Sequence, residues 1–96
     1  MNEIESVVVS GGFDPIHVGH LRMFKEASEL APRLIVIVNN DNFLIQKKGY
    51  VFMPAAERLE IIKGFGVVDM VVESIDKDLT VCETLQWLAK KENLKI

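Results

Sequence analysis

Both histidines of this 96-residue chain fall in one ten-residue segment, Gly11-Gly12-Phe13-Asp14-Pro15-Ile16-His17-Val18-Gly19-His20. His17 and His20, three apart across the entry to a helix, can set both imidazoles on one side of a bound phosphate. The first N–H groups of that helix, opened by Gly19 and His20, form an anion site. Gly11 and Gly12 let backbone approach a ligand closely. Three plainer readings compete: exposed surface, a helix cap, and a metal site in which Asp14 joins the two histidines. The metal reading lacks a fourth ligand, because the single cysteine, Cys82, is not placed to complete it. What favours phosphate chemistry is coincidence, since both histidines, two glycines and an aspartate share one turn behind a strand. Lys47 and Lys48 are the only charges between Asn42 and Ala56. Paired lysines are ordinarily solvated surface, and they matter here only if the fold carries them to the same phosphate.

The elements that must position these residues alternate. Ile4–Ser10, rich in β-branched residues and bounded by Gly11-Gly12, reads as a buried strand. Gly19–Leu30 reads as a helix with Leu21, Phe24 and Ala27 on one face, closed by Pro32. The uninterrupted run Leu34–Val38 suits a parallel strand covered on both faces. Residues 39–53 then read as a long connection carrying the two lysines and Gly49. Pro54 opens a helix to about Phe65, with Glu57 in its first turn and Leu59, Ile62 and Phe65 as its apolar stripe. Val67–Val72 reads as the third strand. A last helix begins at Thr80-Val81-Cys82-Glu83, a capping-box spacing, and turns Val81, Leu85 and Leu88 to the core. Leu94-Lys95-Ile96 starts a fourth strand. The order βαβαβα(β) predicts an α/β fold with a parallel sheet, right-handed crossovers and helices on both faces. In such a sheet ligands bind beyond the carboxyl ends of the strands, where the His17–His20 turn lies.

Composition narrows the function classes. The chain is 49% hydrophobic and 26% charged, with a mean hydropathy of +0.20, too apolar for a disordered segment. Its longest apolar runs fall far short of the roughly 20 residues needed to span a bilayer, and Met1–Glu5 carries no secretory signal. Eleven Lys and Arg against fourteen Asp and Glu, net −3, argue against nucleic-acid binding as the main task. One cysteine excludes an intrachain disulfide framework. We therefore expect residues 1–96 to form a single soluble, cytoplasmic domain. No G-x-G-x-x-G follows the first strand, which sets a dinucleotide-dependent dehydrogenase aside.

Gly11–His20 resembles the G-x-F-D-x-x-H-x-G-H signature of the cytidylyltransferase-like nucleotidyltransferases, the superfamily of glycerol-3-phosphate cytidylyltransferase, heptose-phosphate and pantetheine-phosphate adenylyltransferases and archaeal FAD synthetases. The likeness continues through Val36–Asp41, Lys47-Lys48-Gly49-Tyr50, Pro54–Arg58 and Val68–Val72, and covers the whole chain. It implies a Rossmann-like, three-layer α/β/α fold of the HUP type, with strand order 3-2-1-4-5. It also implies a reaction in which a phosphate oxygen of an acceptor attacks the α-phosphorus of CTP or ATP and pyrophosphate leaves, with no covalent enzyme intermediate.

By the same resemblance, His17 and His20 stabilise the α-phosphoryl group and Lys47 or Lys48 neutralises phosphate charge. Gly11, Gly12, Phe13, Asp14 and Gly19 line the nucleotide. Arg58 clamps an acceptor or nucleotide phosphate, Asp41 contacts the acceptor, and Mg²⁺ arrives on the triphosphate without a dedicated protein site. The lysine segment is most like that of the glycerol-3-phosphate enzymes, which favours CTP. Family members continue to a fifth strand and a late I-S-S/T-T motif that binds the β- and γ-phosphates. This sequence stops at Ile96, so we expect a C-terminally truncated member. We also expect a homodimer, formed through the edge of the first strand that a short fourth strand cannot cover. A non-catalytic nucleotide-binding or oligomerisation module with the same fold is the alternative.

Overall fold

The computed structural model describes residues 4–76, 82–92 and 94–95. Four strands, β1 (Ile4–Gly11), β2 (Arg33–Val38), β3 (Met70–Glu73) and β4 (Leu94–Lys95), form one parallel sheet in the order β3-β2-β1-β4. Four helices connect them: α1 (Val18–Ala27), α2 (Asp41–Lys48), α3 (Ala55–Lys63) and α4 (Cys82–Glu92). β2 is the organising strand, and Leu34 through Val38 are all fully buried because helices cover both of its faces. Leu34, Val36 and Val38 pack with Phe24 and Ala27 of α1 and Ile62 of α3. Ile35 and Ile37 point the other way, to Leu88 of α4, with Val8, Val72 and Leu85 beside them. At about 1.5–3 kcal/mol for each side chain of this kind fully buried, β2 alone anchors both layers. This is the expected three-layer α/β/α arrangement.

The register Ser6↔Arg33 to Gly11↔Val38 brings the ends of β1 and β2 level, so Gly11–Asp14 and Asn39–Asp41 emerge side by side. Among the described residues, β4 pairs with β1 only at Ile4 and Glu5.

Two expectations are corrected here, and a third lies outside the described residues. Residues 39–53 are not one long connection, because Asp41–Lys48 is helical. Only the adjacent Phe43 and Leu44 are buried in it, so no apolar stripe marks it in the sequence. End signals mark it instead. Asn40 accepts the Phe43 N–H at 2.8 Å, Asp41 and Lys47-Lys48 lie at the ends that suit the dipole, and Gly49 closes it at φ 85°. β3 begins at Met70 rather than Val67, because Asp69 takes the Leu34 N–H on its carboxylate at 2.7 Å and Val67 and Val68 turn into the core. The Thr80 cap expected for the last helix lies outside the described residues. The Glu83 and Thr84 N–H groups there donate to the Asp76 carboxylate at 2.9 and 3.1 Å.

Candidate active site

β1 delivers the chain into a tight turn at its carboxyl end. Phe13 adopts φ 51°, a left-handed conformation uncommon for a residue with a side chain, and the Asp14-Pro15 peptide is cis. The Phe13 ring is buried and meets His20 edge-on at 5.1 Å and Phe24 at 5.3 Å. Here the expectation for Gly11 and Gly12 changes. A Cβ on Gly11 would come within 2.9 Å of the Phe13 ring, and one on Gly12 within 2.9 Å of a Leu44 methyl. The space these glycines leave is filled by the protein's own side chains: Gly11 accommodates Phe13, and Gly12 accommodates Leu44.

His17 and His20 form a reciprocal cap on α1. The Gly19 N–H donates to His17 Nδ1 and the His17 N–H to His20 Nδ1, both at 3.1 Å. A Cβ on Gly19 would sit 2.8 Å from the His17 ring, so glycine is needed there for the cap to close. Both Nδ1 atoms act as acceptors, which leaves Nε2–H as the donor of each neutral ring. The rings lie 3.9 Å apart, His17 exposed and His20 partly so. Burial, and then repulsion from His17, hold His20 below the ordinary imidazole value, so it is neutral at pH 7. The helix-cap reading and the phosphate-donor reading are thus compatible. The cap fixes the tautomer that presents two N–H donors outward from a helix N-terminus.

Asp14 lines the candidate pocket with its carboxylate engaged internally. Its carboxylate accepts the Phe52 N–H at 2.7 Å and the Met53 N–H, and pairs with the Lys48 ammonium at 2.9 Å. Burial opposes its ionisation, but these donors together hold the carboxyl below its ordinary value. It ties the β1 turn to the segment after α2, and it is not disposed to join the histidines as a metal ligand. Lys48 also donates to the Asp14 carbonyl at 3.1 Å and lies 4.7 Å from the Tyr50 ring centre, while Lys47 lies 5.8 Å from that of Phe43. The last turn of α2 brings Lys47 and Lys48 into the wall of a pocket of about 200 Å³ shared with Gly12, Phe13 and Asp14. Asn39, Phe43 and Leu44 complete the wall, and the histidines do not line it.

Arg58 also departs from its expected role. It is fully buried and cannot clamp a phosphate from this position. Its Nη1 donates to the carbonyls of Gly12 (2.7 Å) and Asn39 (2.6 Å), its Nε to Met53 (2.8 Å), and its Nη2 to Asp41 Oδ1 (2.6 Å). One guanidinium thus holds together the ends of β1 and β2, the start of α2 and the entry to α3. Asp41 faces Arg58 and the Ala55 N–H (3.0 Å) with the same oxygen, so its visible work is also internal.

Two residues of the site have no individual signal in the sequence. Asn40 donates from Nδ2 to the Ser74 and Asp76 carbonyls, both at 3.0 Å, and so ties β2 to the end of β3. Asn39, only 7% exposed, has a side-chain oxygen that is buried with no hydrogen-bond partner. The only hint of either is that three polar residues, Asn39-Asn40-Asp41, follow a wholly apolar strand. A larger cleft, about 410 Å³, lies by Lys63, Val68 and Met70 at the amino end of β3, away from where this sheet class binds ligands.

Comparison with known proteins agrees with this fold. The family profile described as cytidylyltransferase-like matches residues 8–95. An FAD synthase of Pyrococcus horikoshii is 46% identical over 67 residues, 69% of this chain and 45% of that protein. The bifunctional protein HldE of Photobacterium profundum is 39% identical over 71 residues, 71% of this chain and 15% of that protein. The chain thus spans less than half the length of these relatives. A lipopolysaccharide core biosynthesis protein of Thermoplasma volcanium superposes with a TM-score of 0.73 at 22% identity, covering 93% of this chain and 68% of the other, a likeness of fold.

Proposed function

The chain belongs to the cytidylyltransferase-like family, and from that premise we propose that it is the nucleotide-binding part of a nucleotidyltransferase. The reaction transfers CMP or AMP from CTP or ATP to a phosphorylated small-molecule acceptor. An acceptor phosphate oxygen forms a bond to the α-phosphorus, the α–β phosphoanhydride bond breaks, and pyrophosphate leaves with the electron pair. One observation carries this reading: the reciprocal cap that holds His17 and His20 as outward Nε2–H donors at the start of α1. Two N–H donors and a helix dipole aimed at one place suit the charge that builds on a five-coordinate phosphoryl group. Lys47 and Lys48, from the far wall, supply point charges for the remaining phosphate oxygens. Phe13 sets the angle of His20, and Arg58, Asp41 and Asp14 hold the turn in place.

Mg²⁺ belongs to this proposal as a passenger of the triphosphate. The carboxylates of Asp14 and Asp41 are already engaged with N–H groups and cations, so the residues present fit a metal held by phosphate oxygens and water. When bound, it neutralises phosphate charge. No described helix is long and apolar enough to cross a membrane, and a cytoplasmic reaction is part of the proposal. Self-association through the outer edge of β1, beyond the two residues that β4 pairs, is part of the same proposal. Sedimentation equilibrium over a tenfold dilution tests it.

The donor base is open between two supports. The lysine segment favours CTP, whereas the FAD synthase relatives favour ATP. Pyrophosphate release with each nucleotide, against glycerol 3-phosphate, sugar phosphates and FMN, tests the reading. Nucleotide binding with no release from any pair would favour the non-catalytic module.

A further inference from the structure

Residues 74–76, which follow β3, hold the N-termini of two helices. The Asp76 carboxylate accepts the Glu83 and Thr84 N–H groups at 2.9 and 3.1 Å and the Thr84 hydroxyl, so it caps α4 from outside that helix. The Thr84 hydroxyl oxygen in turn accepts the Ile75 N–H at 2.9 Å. From the other side the same segment takes Asn40, the N-cap of α2. The Asn40 main-chain N–H donates to the Ser74 hydroxyl at 3.0 Å. Its Nδ2 lies 3.0 Å from that hydroxyl and from the Ser74 and Asp76 carbonyls, while its Oδ1 accepts the Phe43 N–H at 2.8 Å. Both ends of the carboxamide are thus engaged, which fixes its orientation. Ser74, Asp76 and Thr84 are buried, so losing one of these bonds leaves its partner short of a replacement.

α2 depends on this contact for its direction. So short a helix is not stable by itself, and it buries only Phe43 and Leu44. Its first residue, Asp41, is tied to Arg58, which also holds the turn after β1, whereas Asn40 is tied to the residues after β3. Two anchors at the ends of different strands set the line of its axis. The far end is held by Lys48 on Asp14, a contact made by the ammonium itself and open to competition from a phosphate. At 1.5 Å per residue the axis from Asn40 to Lys48 runs about 12 Å, so a swing of about 10° moves the last turn by about 2 Å. We propose that Asn40 is a positioning residue of the phosphate site. It acts through α2, aiming the helix that carries Lys47 and Lys48 into the pocket wall. A misplacement of about 1 Å can cost about 10²-fold in rate, and flexible lysine stems recover part of such a loss. This rests on the lysine assignment made under the proposed function and adds the residue that keeps the lysines in place.

The test uses the full chain labelled with ¹⁵N and the variant Asn40→Ser, which keeps a capping oxygen for α2 and loses the amide that reaches Ser74 and Asp76. Ser74→Ala, which removes the hydroxyl from the other side, is the second variant. Residual dipolar couplings of residues 41–48 against those of β2 report the direction of α2. Inorganic pyrophosphate titrated into the same samples reports the lysines. In Asn40→Ser we expect residues 41–48 to keep helical shifts while the axis turns, or averages, by about 10°. The pyrophosphate Kd should rise about five- to tenfold, with a smaller change of the same sign in Ser74→Ala. A double-mutant cycle separates a merely structural role: with Lys47→Met and Lys48→Met already in place, Asn40→Ser should change Kd by less than about twofold. An unchanged direction of α2, an unchanged Kd, an equal loss without the lysines, or unfolding of residues 41–48 in both variants would each overturn the proposal. A parent chain that does not bind pyrophosphate would overturn it together with the lysine assignment. Pyrophosphate release is scored separately. Its failure alongside the expected binding results would remove the transferase reading and leave the role of Asn40 standing.

Discussion

Replacing Arg58 by Met keeps the aliphatic stem and removes every donor. Four oxygens lose a donor: the carbonyls of Gly12, Asn39 and Met53, and Asp41 Oδ1, which keeps the Ala55 N–H. Hydrogen bonds to a charged group are worth about 1.5–3 kcal/mol each, which would give about 6–12 kcal/mol if they added. They do not add, because all four share one side chain and water entering the vacated space recovers part of the loss. The Asp41 contact must also be discounted, since that side chain is 45% exposed while Arg58 is not exposed at all. Breaking a buried pair from one side typically costs about 3–5 kcal/mol, and we expect Arg58→Met to fall there. A domain of this size has only about 5–14 kcal/mol in total. At about 4–8 °C per kcal/mol, the melting temperature should fall by about 12–40 °C. Arg58→Lys should recover less than half, because an ammonium is too compact to reach four oxygens on three segments. Urea unfolding followed by circular dichroism measures all three proteins. If Arg58→Met unfolds within about 1 kcal/mol of the parent, the four contacts are not holding the site together.

The histidines should separate activity from stability: His17→Ala and His20→Ala each lower kcat by about 10²–10³-fold in a pyrophosphate-release assay. Cap loss costs each only about 0.5–2 kcal/mol, and loss of cooperative unfolding would show a mainly structural role. Because His20 is depressed when folded, the native state binds fewer protons than the unfolded chain between the folded and unfolded values. Stability should therefore be full above the ordinary value near 6.5 and decline as pH falls from there through the folded value. Urea midpoints from pH 7.5 to 5 should show this decline in the parent and lose it in His20→Gln. Asp14 has the same sign at lower pH, its contribution present above 3.8 and lost as pH falls through the depressed folded value. Asp14→Asn should flatten the acid limb of the same profile. Gly19→Ala should behave like a cap mutant, because its Cβ would meet the His17 ring at 2.8 Å, and ¹⁵N shifts of His17 and His20 would report whether the cap opens.

Order and type of most elements were legible in the sequence because they rest on short-range patterns. An unbroken β-branched run must be covered on both faces, Pro54 and the glycines punctuate the chain, and the Gly11–His20 segment has a spacing few other folds require. The segment after β2 was not legible, because α2 is specified by its caps and by two adjacent buried residues, Phe43 and Leu44, rather than by a periodic face. Residue type and spacing marked His17 with His20, and Lys47 with Lys48, as two pairs of candidates that only the family resemblance joined. They could not say which charges are spent inside. Arg58 and Asp14 look from the sequence like ligands for phosphate or nucleotide, yet each is engaged by partners 5 to 46 positions away, main-chain carbonyls and the Asp41 carboxylate for the one, N–H groups and the Lys48 ammonium for the other. Conversely, Asn39 looks like the end of a strand and proves to hold a buried oxygen without a partner. Whether a polar side chain is satisfied internally depends on long-range neighbours that only the packed sheet brings together, and that is why tertiary structure alone decided which residues build the site and which face its ligand.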